Sequence, residues 1–444
     1  MSKLTFDFNF SLLTFNFLRH TCLPLAEAHP PLAETFPLLP FNFYLMPFPP
    51  EFQNKAIILG VTIDDRPMDF VLNKIEQFLC SNAQHSIFTP NPEICLRAEK
   101  DEDYRYTLNT ASIKIPDGFG LKLGAKILGQ KLENRVAGSD LTKKLLHKYS
   151  NAKTELKLFI VLRTDSLSKE KDIKQIFSAD YPNIKFKLGN IDIKKPDDCD
   201  KLLNDINLFE PQMLFVCLGA PTQENWIYKY LKLMPSVRVA LGLGGSIDFL
   251  TNKIKRAPKI MRDLGVEWFY RLYQEPSRLK RIKNATADFL LACHKWKKRI
   301  TNEYRLNVVA VIKNRQGKFL VQKNPRFKDH WQFPQGGLNI GEDPDAAVVR
   351  EASEEIGAPE HFLKVIKKIP ESHNYDWPEY GKLIKGYKGQ QQTAYLLEYS
   401  GNETDIDLSA SHEAEEIRWL DKQDLLKTIH RHRHEFAKKI IKHL

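Results

Sequence analysis

Three glutamates in the stretch WQFPQGGLNIGEDPDAAVVREASEEIGA, Trp331 to Ala358, constrain this chain more than any other feature. Asp345 to Ile356 reads as a helix, on which Glu351, Glu354 and Glu355 stand at i, i+3 and i+4, on one face. Like charges crowded in this way repel unless a cation sits on them. Hard Mg2+ or Mn2+ prefers oxygen ligands and keeps several waters, so this face beside a glycine-rich loop suits a metal that bridges phosphate oxygens. Gly336 and Gly337 let backbone come close to a ligand. A solvated acidic helix face is the plainer reading of most glutamate clusters. The complete spacing, with Gly336, Glu342, Arg350 and Gly357 also in place, weighs against it.

With those residues the stretch resembles the Nudix box, a loop-helix-loop that binds divalent metal on a diphosphate. The resemblance implies that Glu351, Glu354 and Glu355 hold Mg2+ or Mn2+, that Gly336 and Gly337 lie against the substrate, and that Arg350 anchors the glutamates. Ala352 stands where the family carries a larger aliphatic residue, a departure that bears on helix packing rather than chemistry. WQFPQGG is similar to the branch that hydrolyses RNA 5' ends and dinucleoside polyphosphates. That branch carries a further catalytic carboxylate where Glu413 stands, six residues before Trp419; Glu413 or a box glutamate such as Glu354 then serves as base. Taken alone, SHEAEE reads equally well as a solvated acidic loop. Strands RLNVVAVIKN and KFLVQKN precede the box, QTAYLLEY and EEIRWLD follow it, and Lys422 to His443 reads as a final helix. The resemblance makes 304–444 a Nudix α/β/α sandwich. In HRHRH, His430 and His434 fall one helical turn apart, a spacing that suits a metal pair, although a solvated cationic face is the commoner meaning.

A chain of 444 residues has room for two or three domains with separate cores. Six scattered cysteines, without a CxxC pair or a secretory signal, suggest a reduced cytosolic protein. Residues 1–54 are rich in Phe, Leu and Pro and lack helical or strand periodicity, so a poorly ordered extension is expected. It contains no apolar run of the roughly 20 residues that span a bilayer. A membrane-touching tail and translation from upstream of Met46 are its two alternative readings.

From Lys55 the pattern alternates strand and helix. AIILGVTID, HSIFTP, IKIPDG, KLFIVL, QMLFVCLG and VRVALGLG are short apolar runs, most followed by turn residues and helical stretches such as Pro92 to Asn109 and Thr222 to Met234. Alternation of this kind gives a Rossmann-like α/β fold, a parallel sheet with helices on both faces and a ligand crevice beyond the carboxyl ends of its strands. Thr89, Asn91, Asp117, Gly118, Gly219, Gln223, Glu224 and the glycines of GLGGS fall at those ends. Glycines there let backbone N–H groups approach phosphate, though tight αβ packing explains GLGGS as well.

TPNPE (89–93), PDGFG (116–120), RVAGSDL (135–141), LGAPTQENW (218–226), GLGGSIDF (242–249), RAP (256–258) and GVEWFYRLYQEPSRLKR (265–281) together resemble the WecG/TagA/CpsF glycosyltransferases, in order and over about 240 residues. The resemblance implies an inverting transferase. It moves an N-acetylhexosamine, of the N-acetylmannosamine type, from a UDP-sugar to a polyprenyl-diphosphate-linked acceptor in surface polysaccharide or teichoic-acid synthesis. Asp117 matches the base that takes the proton of the attacking hydroxyl. Thr89, Asn91 and Gln223 match polar contacts to donor and acceptor, and Arg135, Arg256, Arg271 and Arg278 suit a diphosphate. No metal is expected in this domain. As a bare sequence, Pro-Asp-Gly is an ordinary turn.

Between Lys253 and Arg299 stand 14 Lys and Arg against 4 Asp and Glu, an excess of ten beside a net charge of +11 for the whole chain. That segment, 253–303, forms a basic amphipathic appendage and linker after the transferase core at 55–252. Trp268, Phe269, Tyr270, Leu272, Tyr273, Phe289, Leu290 and Leu291 give it an apolar face for lipid while its cations meet anionic head groups. A single-stranded nucleic acid is the competing partner, and the lipid chain of the acceptor favours the membrane. The expected location is the cytoplasm, peripherally on the inner face of the cytoplasmic membrane. Homo-oligomerisation is compatible with all of this. The leading expectation is a bifunctional enzyme; the alternatives are a transferase whose Nudix domain only senses a nucleotide, or an RNA-end-processing protein whose front domain is a basic platform.

Overall fold

The computed structural model describes residues 53–444 apart from 153–154, 193, 259, 262–268, 271–272, 274–282, 326–328, 340 and 412–413. Its first element departs from the alternating pattern. AIILGVTID folds as a hairpin, β1 (Lys55–Ile58) against β2 (Val61–Asp64), outside the main sheet. Leu59 and Gly60 both take positive φ, 50° and 79°, the two-residue turn that matches the right-handed twist of an antiparallel pair. Ala56, Ile57, Ile58, Val61 and Ile63 are fully buried, so this hairpin is a wall of the core.

Behind it lies a six-stranded, all-parallel sheet made of β3 (His85–Phe88), β4 (Ile113–Lys114), β5 (Leu156–Arg163), β6 (Ile184–Ile191), β7 (Met213–Cys217) and β8 (Val239–Gly242). The order is β4-β3-β8-β7-β5-β6. Phe159, Val161, Leu214 and Val216 point into one apolar layer, and Leu158, Ile160, Met213 and Phe215 into the other. Both faces are covered, which is why these strands read as unbroken apolar runs rather than as an alternation. Only the edge strand β6 alternates, Ile-Lys-Phe-Lys, its lysines paired with Glu155 and Asp205. The expected helix Pro92–Asn109 is two, Pro92–Lys100 and Glu102–Thr110, because Asp101 leaves the helix and caps the second through Tyr104 N, 2.9 Å.

The helix Phe289–Asn302 corrects one expectation about the basic segment. Phe289, Cys293, Trp296 and Ile300 recur at helical spacing and are buried, so Phe289 faces protein rather than lipid. Gly124, in the helix Gly120–Ile127, supplies the gap into which Phe289 and Cys293 fit; a Cβ there would stand 2.7 Å from the Phe289 ring. Phe269, Tyr273 and Leu291 are exposed.

The C-terminal sheet is mixed. β9 (Tyr304–Asn314) runs parallel to β14 (Gly389–Tyr399); β10 (Phe319–Lys323), β11 (Trp331–Gln332), β12 (Gln335–Gly337), β13 (Leu363–Asp376) and β15 (Glu416–Leu420) join antiparallel. The helix Pro344–Ile356 packs Ala347, Val348, Ala352 and Ile356 on one face of the sheet. Phe436, Ala437 and Ile440 of the helix His434–Ile441 cover the other, completing the expected sandwich. Ala352 is fully buried, and its small side chain is accommodated in that layer. The expected helix Lys422–His443 is broken into Leu425–Thr428 and His434–Ile441 with short 3-10 turns before each.

The two domains share a core. Leu383 and Ile384, on the short helix Glu379–Lys385 between β13 and β14, belong to the apolar cluster that holds the hairpin and Trp296. Trp296 Nε1 donates to Leu383 O at 3.2 Å, its ring lies against Gly386, and Arg299 stacks on Trp296 and Tyr387 while pairing with Glu99 at 3.4 Å.

Candidate active sites

In the front domain the strands that carry the matched residues are neighbours. β4, β3, β8 and β7 stand in that order and run in one direction, so their carboxyl ends form a continuous row. Hydrogen bonds stitch the loops along it. Asp117 N donates to Pro90 O at 2.8 Å, joining the loop after β4 to that after β3. Thr89, 7 % exposed, donates through Oγ1 to Gly242 O at 3.3 Å, reaching the end of β8. Val136 N donates to Pro116 O at 3.0 Å, which sets Arg135 beside the Pro-Asp-Gly turn. Asp65 fixes the approach to Arg135 by accepting from Asn134 N and Glu133 N at 2.7 and 3.0 Å. Asp117 is half-buried, with Gly118 after it at φ +112°, a conformation that glycine allows.

Other matched residues are more committed than their sequence suggests. Asn91 caps the helix Pro92–Lys100, its Oδ1 accepting from Ile94 N at 2.9 Å, which fixes the side chain and presents its Nδ2 as a donor. Gln223 is 2 % exposed, and its Oε1 accepts from both Gly219 N (3.2 Å) and Gly244 N (2.8 Å). It clamps the loops after β7 and β8 instead of reaching out to a substrate. Arg256 forms a bidentate pair with Asp140, in the first turn of the helix Gly138–Ser150, with Nη2 to Oδ2 at 2.8 Å. Arg271 and Arg278 lie outside the described residues, as does Glu413. Tyr104 and Asp65 carried no local signal, and Glu224 and Asp140, though inside the matched motifs, were given no task, because Tyr104–Glu224, Asp65–Glu133 and Asp140–Arg256 join residues 68 to 120 apart in the chain.

In the C-terminal domain Arg350 is the hub of the acidic helix. It donates to Glu342 through Nε (2.8 Å) and Nη2 (3.0 Å), to Glu351 (2.8 Å) and Glu354 (3.2 Å) through Nη1, and to Gly337 O at 3.3 Å. The Arg350 hydrogen bonds hold the Glu342 carboxyl below its ordinary value, and Glu342 in turn raises the guanidinium. Glu355 is buried, one oxygen accepting from Gln322 Nε2 and Gln335 N, both at 2.7 Å. Glu354 is the most exposed of the three, and Glu351 tucks against Gly336, where any Cβ would overlap its carboxylate. The donor chemistry, carboxylate oxygens, is the kind that a hard divalent cation takes. Three carboxylates rise from one helix turn, and the Gly336 cradle brings one of them against backbone. Among the described residues no three acidic groups already converge into a cage, so Arg350 and a cation would share Glu351 and Glu354. His430 and His434 make no metal pair: His434 Nε2 bonds Ile429 O at 2.8 Å, and His430 stacks on His330 with ring centroids 4.4 Å apart.

Residues 56–303 match the glycosyl transferase WecG/TagA/CpsF family and residues 303–444 the NUDIX domain. An α/β transferase fused to a hydrolase domain is the class that the two sheets and two sites define. This chain belongs to the WecG/TagA/CpsF family of glycosyltransferases and continues into a Nudix hydrolase domain. It is 37% identical over 196 residues to the N-acetylglucosaminyldiphosphoundecaprenol N-acetyl-beta-D-mannosaminyltransferase of Bacillus subtilis (strain 168), covering 44% of this chain and 74% of that protein. The same-named protein of Staphylococcus aureus (strain MRSA252) is 32% identical over 234 residues, covering 52% and 89%. Among solved structures, a C. elegans Ap4A hydrolase binary complex aligns with 31% of this chain and 96% of its own, at 23% identity and a TM-score of 0.25. The MutT protein of Methanosarcina mazei Go1 aligns with 32% and 94%, at 21% and 0.25.

Proposed function

We propose that the front domain transfers an N-acetylmannosamine-type sugar from a UDP-sugar to an acceptor linked through diphosphate to a polyprenol, and that the C-terminal domain hydrolyses a diphosphate bond in a nucleoside polyphosphate or an RNA 5' end. The observation that carries the first half is the contiguous row of loops bearing Thr89, Asn91, Asp117 and Arg135, in a chain a third identical to N-acetylmannosaminyltransferases. Asp117 takes the proton as the acceptor hydroxyl oxygen bonds to the sugar's anomeric carbon, and the bond from that carbon to UDP breaks. Attack from the face opposite the leaving group inverts the centre. Arg135, with Arg256, Arg271 and Arg278, balances the charge that grows on the departing diphosphate. Thr89 and the Asn91 Nδ2 orient the sugar.

In the second site Glu351, Glu354 and Glu355 would hold Mg2+ or Mn2+, and such an ion would supply a Lewis acid for the phosphate and lower the pKa of a water. Gln322 and Gln335 keep the Glu355 carboxylate aimed, Arg350 spaces Glu351 from Glu354, and Glu413 or Glu354 accepts the proton of the attacking water. The protein meets anionic membrane through its basic segment, where Phe269 and Tyr273 are exposed; among the described residues no helix is long and apolar enough to cross a bilayer. One panel tests the whole reading. UDP-N-acetylmannosamine with a prenyl-diphosphate-linked acceptor is expected to yield UDP, and diadenosine polyphosphates or 5'-triphosphate RNA are expected to be cut with added Mg2+. Turnover of neither class removes the corresponding half of the proposal.

A further inference from the structure

Glu224 is a buried carboxylate that the proposed transfer does not use. It is 0 % exposed, in the first turn of the helix Thr222–Tyr230, and burial pushes its carboxyl above the ordinary range. Its Oε1 accepts from Gln223 Nε2 at 2.8 Å, and its Oε2 accepts from the Tyr104 hydroxyl at 3.1 Å. Gln223 is where the two glycine loops meet: its Oε1 receives Gly219 N and Gly244 N. A primary amide has a donor end and an acceptor end of nearly the same shape. Turned over, it would set its NH2 against two N–H groups, with no acceptor between them. The carboxylate oxygen beside Nε2 selects the orientation that works. Gly242 completes the seat, since a Cβ there would lie 3.2 Å from Gln223 Nε2.

We propose that Glu224, braced by Tyr104, is a positioning residue of the transferase: it sets the Gln223 amide, which in turn holds the loops after β7 and β8 in register at the mouth of the crevice. Glu224 touches neither sugar nor phosphate and acts through Gln223. The catalytic part of this inference rests on the crevice being the transfer site; the loop clamp itself does not.

Two readouts on the full chain separate this role from plain core stability. Glu224→Gln keeps an oxygen for Gln223 Nε2, and the Tyr104 hydroxyl can turn to accept from the new amide. Glu224→Leu keeps bulk but removes the acceptor. Leaving the buried Gln223 NH2 without its acceptor corresponds to about tenfold, so in the Leu variant hydrogen exchange at the Gly219 and Gly244 amides is expected to quicken by about tenfold. The KM for UDP-N-acetylmannosamine should rise by a similar factor, ahead of any fall in kcat, while the Gln variant stays within about twofold of wild type on both. A Leu variant with wild-type exchange and KM overturns the proposal. So does a Gln variant as impaired as the Leu variant, which would mean that charge and not amide orientation matters. If the Leu variant does not fold, Tyr104→Phe decides: looser exchange at Gly219 and Gly244 supports the brace, and unchanged exchange refutes it. Should the wild type transfer no sugar at all, the transfer reading falls, and the exchange comparison still decides the clamp.

Discussion

At the scale of single residues, Asp117 is the sharpest test of the transferase. Asp117→Asn keeps the shape of the Pro-Asp-Gly turn but cannot accept a proton, so sugar transfer should fall by about two to four orders of magnitude while the protein stays folded. Circular dichroism and a UDP-release assay on one preparation check it; wild-type transfer would show that another group is the base. His330 gives a pH test of stability. Burial, with Arg433 and His430 nearby, pushes its pKa from 6.5 down to about 4. Between those values the unfolded chain binds a proton that the folded chain refuses, so stability is complete above about pH 6.5 and is lost as pH falls toward 4. The urea midpoint should therefore drop between pH 7 and pH 5, and drop less in His330→Asn. Equal drops would mean that His330 carries no linked proton. Sequence reached these residues unevenly. That Glu351, Glu354 and Glu355 stand on one helix was legible from their spacing, whereas the burial of Glu355 was not. The clamp made by Gln223 was not legible either, because Gly244 lies 21 residues on and only the folded chain brings it within reach; the Asn91 cap, three residues from Ile94, was open to a local reading that was not made.

At the scale of elements, the helix Phe289–Asn302 carries the clearest energetic expectation. Trp296 is 2 % exposed and gripped from both domains. Trp296→Ala should cost about 3–5 kcal/mol and shift thermal unfolding of the transferase domain along with that of the hydrolase domain. A calorimetric trace in which only one transition moved would contradict the shared core. This helix was read as a lipid-facing segment because its charges are so many; the buried stripe at i, i+4, i+7 and i+11 was present but outnumbered. Other misreadings have similarly local causes. The hairpin β1–β2 looked like one strand because Leu59, an unusual residue for positive φ, gives no turn signal of its own. β13 went unseen because Pro370 and its bulges interrupt the pattern, with register shifts between Val365 and Lys367 and between Lys368 and Ser372. The central parallel strands, buried on both faces, were plain from their apolar runs.

At the scale of the whole molecule, the two sites should be chemically independent although their domains are not mechanically so. Glu354→Gln removes a carboxylate from the acidic helix, and hydrolysis should fall by orders of magnitude. EDTA should do the same to the wild type. Transfer should survive both treatments, because the proposed transfer relies on arginines, amides and Asp117, and among the described residues the front domain has no carboxylate cluster suited to a metal. Loss of both activities together, in folded protein, would demand a shared metal. Removing residues 304–444 is a different intervention: it strips Leu383 and Ile384 from the front core, and the remaining domain should melt lower or aggregate. A truncated chain as stable as the full one would refute this. The grip on Trp296 also has a consequence for how such a chain can change over generations. A substitution at Leu383 or Gly386, however harmless to hydrolysis, is felt by the sugar-transfer half, so the two catalysts inherit each other's tolerances. Once joined in this way, neither can be exchanged for a cousin without first repairing the seam.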